Sequence, residues 1–164
     1  LGEFPQSSNE QFENDLFTAL SRFDTMKPIF VEDESRNIGF NIIPPEFYHT
    51  MSVSPLIVIE MEKALRIGRL VKDYGKFTNQ DLKVCIEKLS RRLGGTHTQS
   101  AISSLDEGKP EEAAMISLYY YDKVYKYGLS RKKNPVIIKV SLESSNATVN
   151  TDKILGVLKD NGII

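Results

Sequence analysis

Apolar positions along the first quarter of the chain recur at helical spacing. Phe12, Leu16, Leu20 and Phe23 form one stripe, and Ser8 with Gln11 fits a capping box at its start, so the pattern predicts a helix over about residues 9–23. The spacing then changes. Pro28-Ile29-Phe30-Val31 is a short apolar run that ends in Glu32-Asp33-Glu34 and continues Ser35-Arg36-Asn37-Ile38-Gly39. It predicts a strand over 28–33 whose end delivers polar chemistry. Pro44-Pro45 restarts the chain, and 46–51 has room for one or two helical turns. Leu56-Ile57-Val58-Ile59-Glu60 is β-branched and continuous, as expected of a strand buried on both faces.

The middle of the chain reads as helices. Residues 61–74 form one. Thr78 with Asp81 caps another that runs to about Leu93, with Leu82, Ile86, Leu89 and Leu93 as its stripe and Gly94-Gly95 as its stop. Residues 98–105 and 110–127 are two more, the second with Pro110 in its first turn. Pro135 to Leu142 predicts a third strand, and Thr151 is placed to cap a last helix through Lys159. Strands alternating with helices imply an α/β fold with a mostly parallel sheet, from which the helices at 61–127 are an excursion.

Composition narrows the class. The 164 residues are 40% apolar and 26% charged, which is the balance of a globular domain, and they fit a single domain. A net charge of −1 argues against a globally basic nucleic-acid binder while leaving room for a local basic face. The lone Cys85 excludes an internal disulfide and fits a reducing compartment. No apolar run is long enough to span a membrane and no signal peptide opens the chain, so the expected location is the cytoplasm. The sequon Asn146-Ala147-Thr148 is then a coincidence. The start at Leu1 rather than methionine suggests a piece of something longer.

Three groups of residues carry candidate chemistry. Glu32 and Glu34 point to one side of the predicted strand and Asp33 to the other. Such acids either face a ligand crevice beyond the strand end or are strand-end residues in solvent. Arg36 suits a phosphate, and equally suits a network with Glu32 or Glu34. Lys63, Arg66, Arg69 and Lys72 recur every three residues, and Lys88, Arg91 and Arg92 follow. These faces bind RNA phosphates or are simply solvated. Tyr119, Tyr120, Tyr121, Tyr125 and Tyr127 make one helix aromatic-rich; some must be core, and the rest offer a stacking surface for a base or a prenyl chain. His49 and His97 lie far apart without cysteine pairs, which argues against a zinc site.

Several of these pieces resemble a known family in order and spacing. They are Pro5-Gln6 followed by Phe12-Glu13-Asn14, then Val31-Glu32-Asp33-Glu34-Ser35-Arg36-Asn37-Ile38-Gly39, and Leu56 to Glu60 followed by an arginine-bearing helix. Arg91-Arg92-Leu93-Gly94-Gly95 and Tyr120-Tyr121-Asp122 with Tyr125 complete the set. Together they resemble the C-terminal domain of the tRNA 2-selenouridine synthases, a domain similar to P-loop kinases. The resemblance implies an incomplete P-loop-kinase-like, mostly parallel sheet of about three strands. The strand ending at Glu32-Asp33 would be of Walker-B type, and residues 61–130 would be a helical, lid-like region.

The resemblance also implies an activity: replacement of sulfur by selenium at wobble 2-thiouridine of tRNA. Selenophosphate would be the donor, and a geranylated thiouridine made from geranyl diphosphate the intermediate. Glu32, Asp33 and Arg36 would be the catalytic candidates. Arg66, Arg69, Arg91, Arg92, Gly94 and Gly95 would be the tRNA-binding ones. The implied partners are tRNA and the upstream rhodanese and P-loop segments of the same protein, with no membrane involved. Neither Gly75-Lys76-Phe77 nor Gly108-Lys109-Pro110 fits the G-x-x-x-x-G-K-[ST] phosphate cradle, and Cys85 sits on an apolar helix face as a structural thiol. The chain alone is therefore expected to be catalytically silent. Two other classes stay open: a P-loop-kinase-like phosphotransferase or NTPase acting on a small molecule, and a binding module without catalysis.

Overall fold

The computed structural model describes residues 5–164. Its elements are α/β in character but helix-rich. In chain order they are α1 (Asn9–Leu20), β1 (Asn37–Ile38), β2 (Asn41–Ile42), α2 (Pro45–Val53), β3 (Leu56–Met61), α3 (Lys63–Tyr74), α4 (Asn79–Lys88), α5 (Ser90–Leu93), α6 (Gly95–Asp106), α7 (Pro110–Ser130), β4 (Ile137–Leu142) and α8 (Ala147–Asp160).

The strands form two pairs. β3 and β4 lie parallel. In β4, Ile138, Val140 and Leu142 are buried while the residues between them are exposed, the two-residue alternation of a strand with one covered face. β3 also departs from the expectation of burial on both faces. Leu56 and Val58 are buried, but Ile59 is 50% exposed. β1 and β2 make a small antiparallel hairpin in which Asn37 faces Ile42 and Ile38 faces Asn41.

The predicted strand at 28–33 is not formed. Residues 28–35 carry no strand, and Ile29, Phe30 and Val31 are 43–54% exposed. The apolar pattern there is strand-like, but a strand exists only when a neighbouring strand satisfies its N–H and C=O groups, and among the described residues no strand pairs with it. The ordering that follows is carried by hairpin bonds: Ile43 N donates to Arg36 O at 2.9 Å.

Most helix boundaries match the pattern. Ser8 caps α1, and Thr78 and Asp81 form the reciprocal capping box of α4. Two details differ. The helix expected to reach Leu93 breaks at Leu89 into α4 and α5. Thr151 does not cap α8 but lies within it, its hydroxyl donating to Ala147 O at 2.9 Å. The cap is Asn146, whose Oδ1 accepts from Thr148 N and Val149 N at 2.9 and 3.2 Å.

The described chain divides into two compact units. One comprises residues 59–132 and 140–154, and its core is helical. Ile86, Leu93, Ala101, Leu105 and Ala113 are buried together, with Leu82, Leu89, Ile102, Ile116 and Tyr120 packed against them. α6 packs on α7 and on α4, and α3 packs on α7. The small Ala101 and Ala113 let α6 and α7 approach closely, and Leu105 fills the space beside them. The other unit comprises residues 5–58, 133–139 and 155–164. It contains α1, the hairpin and α2. Asn134 Nδ2 donates to Ser54 O at 2.7 Å, which fastens the segment before β4 to the end of α2.

Candidate functional site

Three separate groups of side chains carry the candidate chemistry, one in the unit of residues 5–58 and two in the helical unit, and each is fixed differently. The first is the acidic segment. Glu32, Asp33 and Arg36 are all exposed, and they lead directly into the hairpin. The turn between β1 and β2 uses Gly39 at φ 63°, a left-handed conformation that favours glycine at the first position of a two-residue hairpin loop. The side chain of Gln6 grips this turn from both directions. Its Nε2 donates to Ile38 O at 2.8 Å, and its Oε1 accepts from Phe40 N at 2.9 Å. Next to it, Asn41 Nδ2 donates to Ser7 O at 3.1 Å, and Asn9 Oδ1 accepts from Ile42 N at 2.6 Å. Asn41 is buried by this arrangement. The Pro5-Gln6 and Glu32–Gly39 motifs, distant in sequence, therefore meet in space.

The second group lies on α3. Arg66 and Arg69 are expected on a basic face that binds RNA phosphates or is solvated, and the structure gives each an acidic neighbour. Arg66 Nη1 lies 2.7 Å from Asp122 Oδ1 on α7. Arg69 Nε lies 3.4 Å from Asp73 Oδ2 one turn further along α3. A half-buried ion pair between packed helices is an architectural contact first, because engaging RNA through the same guanidinium would compete with Asp122. Asp122 belongs to the Tyr120-Tyr121-Asp122 motif, so the sequence held both partners without showing that they meet.

The third group is Arg91-Arg92-Leu93-Gly94-Gly95. Leu93 is buried in the helical core, while Arg91 and Arg92 on the same short helix are exposed. Gly94 ends α5 at φ 82°, where any side chain is strained, and is at once the residue before α6. Gly95 is thus the first residue of α6 and not merely part of a stop signal. No side chain caps the start of α6, and a Cβ at either glycine meets nothing within 4 Å. Exposed guanidinium groups therefore flank an open, glycine-lined helix start. Backbone N–H groups and the positive end of the helix there suit a phosphate oxygen. α3 and α5 both pack on α7, which brings the second and third groups onto the same scaffold.

Cys85 is half-buried on α4, consistent with a structural thiol. Among the tyrosines, Tyr120 packs against the core, whereas Tyr119, Tyr121, Tyr125 and Tyr127 are 51–63% exposed. No helix among the described residues is long and apolar enough to cross a membrane.

Comparison with known proteins gives the class of this chain. Residues 2–154 match the family model described as the tRNA 2-selenouridine synthase AAA domain. The chain belongs to this family. Among similar proteins is the tRNA 2-selenouridine synthase of Shewanella sediminis, 30% identical over 84% of this chain and 46% of its own length. Another is the tRNA 2-selenouridine synthase of Marinobacter nauticus, 29% identical over 82% of this chain and 45% of its own length. The same-named protein of Shewanella denitrificans is 27% identical, over 87% and 47% respectively. The chain thus spans about half the length of the curated relatives it matches. No solved structure matches it.

Proposed function

We propose that this chain works as part of a tRNA-modifying transferase that converts wobble 2-thiouridine to 2-selenouridine, taking selenium from selenophosphate and passing through a geranylated thiouridine. The observation that carries the proposal is the family match over residues 2–154, together with relatives that bear the name of that enzyme. The domain it proposes is P-loop-kinase-like, completed by rhodanese and P-loop segments of the same protein, in the cytoplasm. Within it, Glu32, Asp33 and Arg36 are the catalytic candidates. Their exposed segment leads into the hairpin that Gln6 grips at Ile38 O and Phe40 N. Arg91, Arg92, Gly94 and Gly95 form a phosphate-binding corner for tRNA. Arg66 and Arg69 support that corner through α3, with Arg66 committed to Asp122.

The test is binding of unmodified and 2-thiolated tRNA to the chain, followed across salt concentrations. Reversing both guanidinium groups with R91E and R92E removes two phosphate contacts. The salt slope then flattens by about 1.4–1.8, at about 0.7–0.9 per contact. Affinity and slope that stay unchanged in the double variant would remove Arg91 and Arg92 from the RNA surface. Failure of the wild-type chain to bind any tRNA would count against the tRNA reading and favour action on a small molecule.

A further inference from the structure

The second half of α7 carries a surface that the roles above do not use. From Lys123 to Gly128 every residue is exposed, so this part of the helix gives no face to the core. The buried positions of α7, Ala113 and Leu118, lie in its first half. One stripe of this exposed end is unusual in composition. Tyr119, Lys123, Lys126, Tyr127 and Arg131 follow one another at helical spacing and share a side of the helix. Tyr119 is 60% exposed and Tyr127 63%.

Local pairing gives the stripe a defined geometry. The Arg131 guanidinium lies over the Tyr127 ring, 5.7 Å from its centroid, and Nη1 donates to Tyr127 Oη at 3.1 Å. The Tyr119 ring sits 5.9 Å from that of His97. From Lys123 to Lys132 the chain has four cations and no carboxylate, although its net charge is −1. The nearest acid before this stretch, Asp122, is engaged by Arg66. Cations at a helix C-terminus also complement the backbone dipole, but that effect is confined to the last turn, and α7 has no basic residue there. Lys123 and Lys126 need another reason.

We infer that this stripe is a stacking platform for unpaired nucleotides of an RNA loop, with Tyr119 and Tyr127 receiving base faces and Lys123, Lys126 and Arg131 receiving phosphates. The inference rests on the tRNA reading proposed above and adds a separate surface to it. Each unpaired nucleotide offers one π-face and one phosphate, which matches an alternation of rings and cations. Tyr119 and Tyr127 are eight residues apart, about 12 Å along the helix axis, a span for a few nucleotides. A protein partner is the poorer match, because Lys123 and Lys126 occupy the middle of the stripe and lysine is depleted in protein–protein interfaces.

The test uses the chain with labelled single-stranded oligouridine and with a duplex RNA of equal length. The chain has no tryptophan, so quenching of its tyrosine fluorescence reports stacking directly. Stacking is worth about 1–3 kcal/mol per base, so Tyr127→Ala lowers oligouridine affinity by about 5-fold to 150-fold, and Tyr119→Ala with Tyr127→Ala by more. Tyr→Phe at both positions keeps the π-face and restores most of the binding. Lys123→Glu with Lys126→Glu flattens the single-strand salt slope by about 1.4. Circular dichroism of each variant confirms that the helix remains folded. Equal oligouridine binding by wild type and the alanine variants, or quenching that is the same with duplex, overturns the platform. Self-association of the wild-type chain that the alanine variants abolish, without any RNA effect, assigns the stripe to a second copy and overturns it as well. A wild-type chain that binds no tRNA overturns this inference together with the tRNA reading. A chain that binds tRNA while its oligouridine binding ignores the stripe overturns this inference alone.

Discussion

Arg66 and Asp122 join α3 to α7 by an ion pair of 2.7 Å between Nη1 and Oδ1, with each side chain about a third exposed. This pair decides how the basic residues of α3 are tested. A charge reversal at Arg66 places a carboxylate against Asp122 and loosens the helix contact, so lost RNA affinity in that variant would report packing as well as charge. The cleaner experiment is a double-mutant cycle of Arg66→Ala and Asp122→Ala in urea. The expected coupling is about 0.5–1 kcal/mol, given the partial exposure of both groups. A coupling near zero would show that the pair is incidental and return Arg66 to the candidate RNA surface.

Leu105 is the side chain on which the helical unit depends most plainly. It is buried beside Ala101 and Ala113, and Leu105→Ala leaves a cavity between helices that already approach closely. The expected loss is about 2–5 kcal/mol, measured as a lower urea midpoint with an unchanged slope. Loss of less than about 1 kcal/mol would mean that the core collapses onto the gap.

The chain by itself is expected to be catalytically silent, because no G-x-x-x-x-G-K-[ST] sequence occurs within it to cradle a transferred phosphate. Isothermal titration with ATP and magnesium, and a selenation assay on thiolated tRNA, test this. Micromolar nucleotide binding or measurable turnover would overturn it.

Glu107 and Lys109 give a prediction with a defined sign in pH. The Glu107 carboxyl is held below its ordinary value of 4.5, first by the hydrogen bond and charge of Lys109 and then by the Ser103 hydroxyl. Lys109 is held above its ordinary 10.5, chiefly by Glu107. The Glu107 contribution is therefore complete above 4.5 and lost as pH falls through its lowered value. The Lys109 contribution is complete below 10.5 and lost as pH rises through its raised value. Both groups are solvent-exposed, so screening keeps these contributions small and the titration itself is the readout. Lys109→Met moves the Glu107 titration upward in carboxyl-carbon NMR, and an unmoved curve would show that the pair does not persist in solution.

Periodic helices were the most legible part of this fold. α1, α4 and α7 announce themselves through Ser8, the Thr78–Asp81 box and Pro110, because capping and helical periodicity are local properties. Residues 28–33 show the limit of that reading. Ile29, Phe30 and Val31 have strand character, but a strand is a relation between two segments, and the pattern of one cannot report the presence of the other. The hairpin was missed for a related reason: β1 and β2 are two residues each, too short for alternation to register. The candidate site divided the same way. The Arg91–Gly95 corner was visible because its residues are contiguous. The Arg66–Asp122 pair and the Gln6 contacts join residues far apart in sequence, and only the fold brings them together.

The grip of Gln6 on the hairpin turn also has a topological meaning. Its bond to Ile38 closes a ring of chain 32 residues around, with α1 and the acidic segment both inside it. Closing a ring removes freedom from everything it encloses, and the freedom removed grows only with the logarithm of ring size, so a single amide can discipline a long stretch. Glu32, Asp33 and Arg36 sit a few residues from that closure, where the remaining slack is smallest. Gln6→Glu keeps the size of the side chain and the acceptor for Phe40 N but deletes the donor to Ile38 O, so the ring that remains is closed by Asn41 on Ser7 and by Asn9 on Ile42.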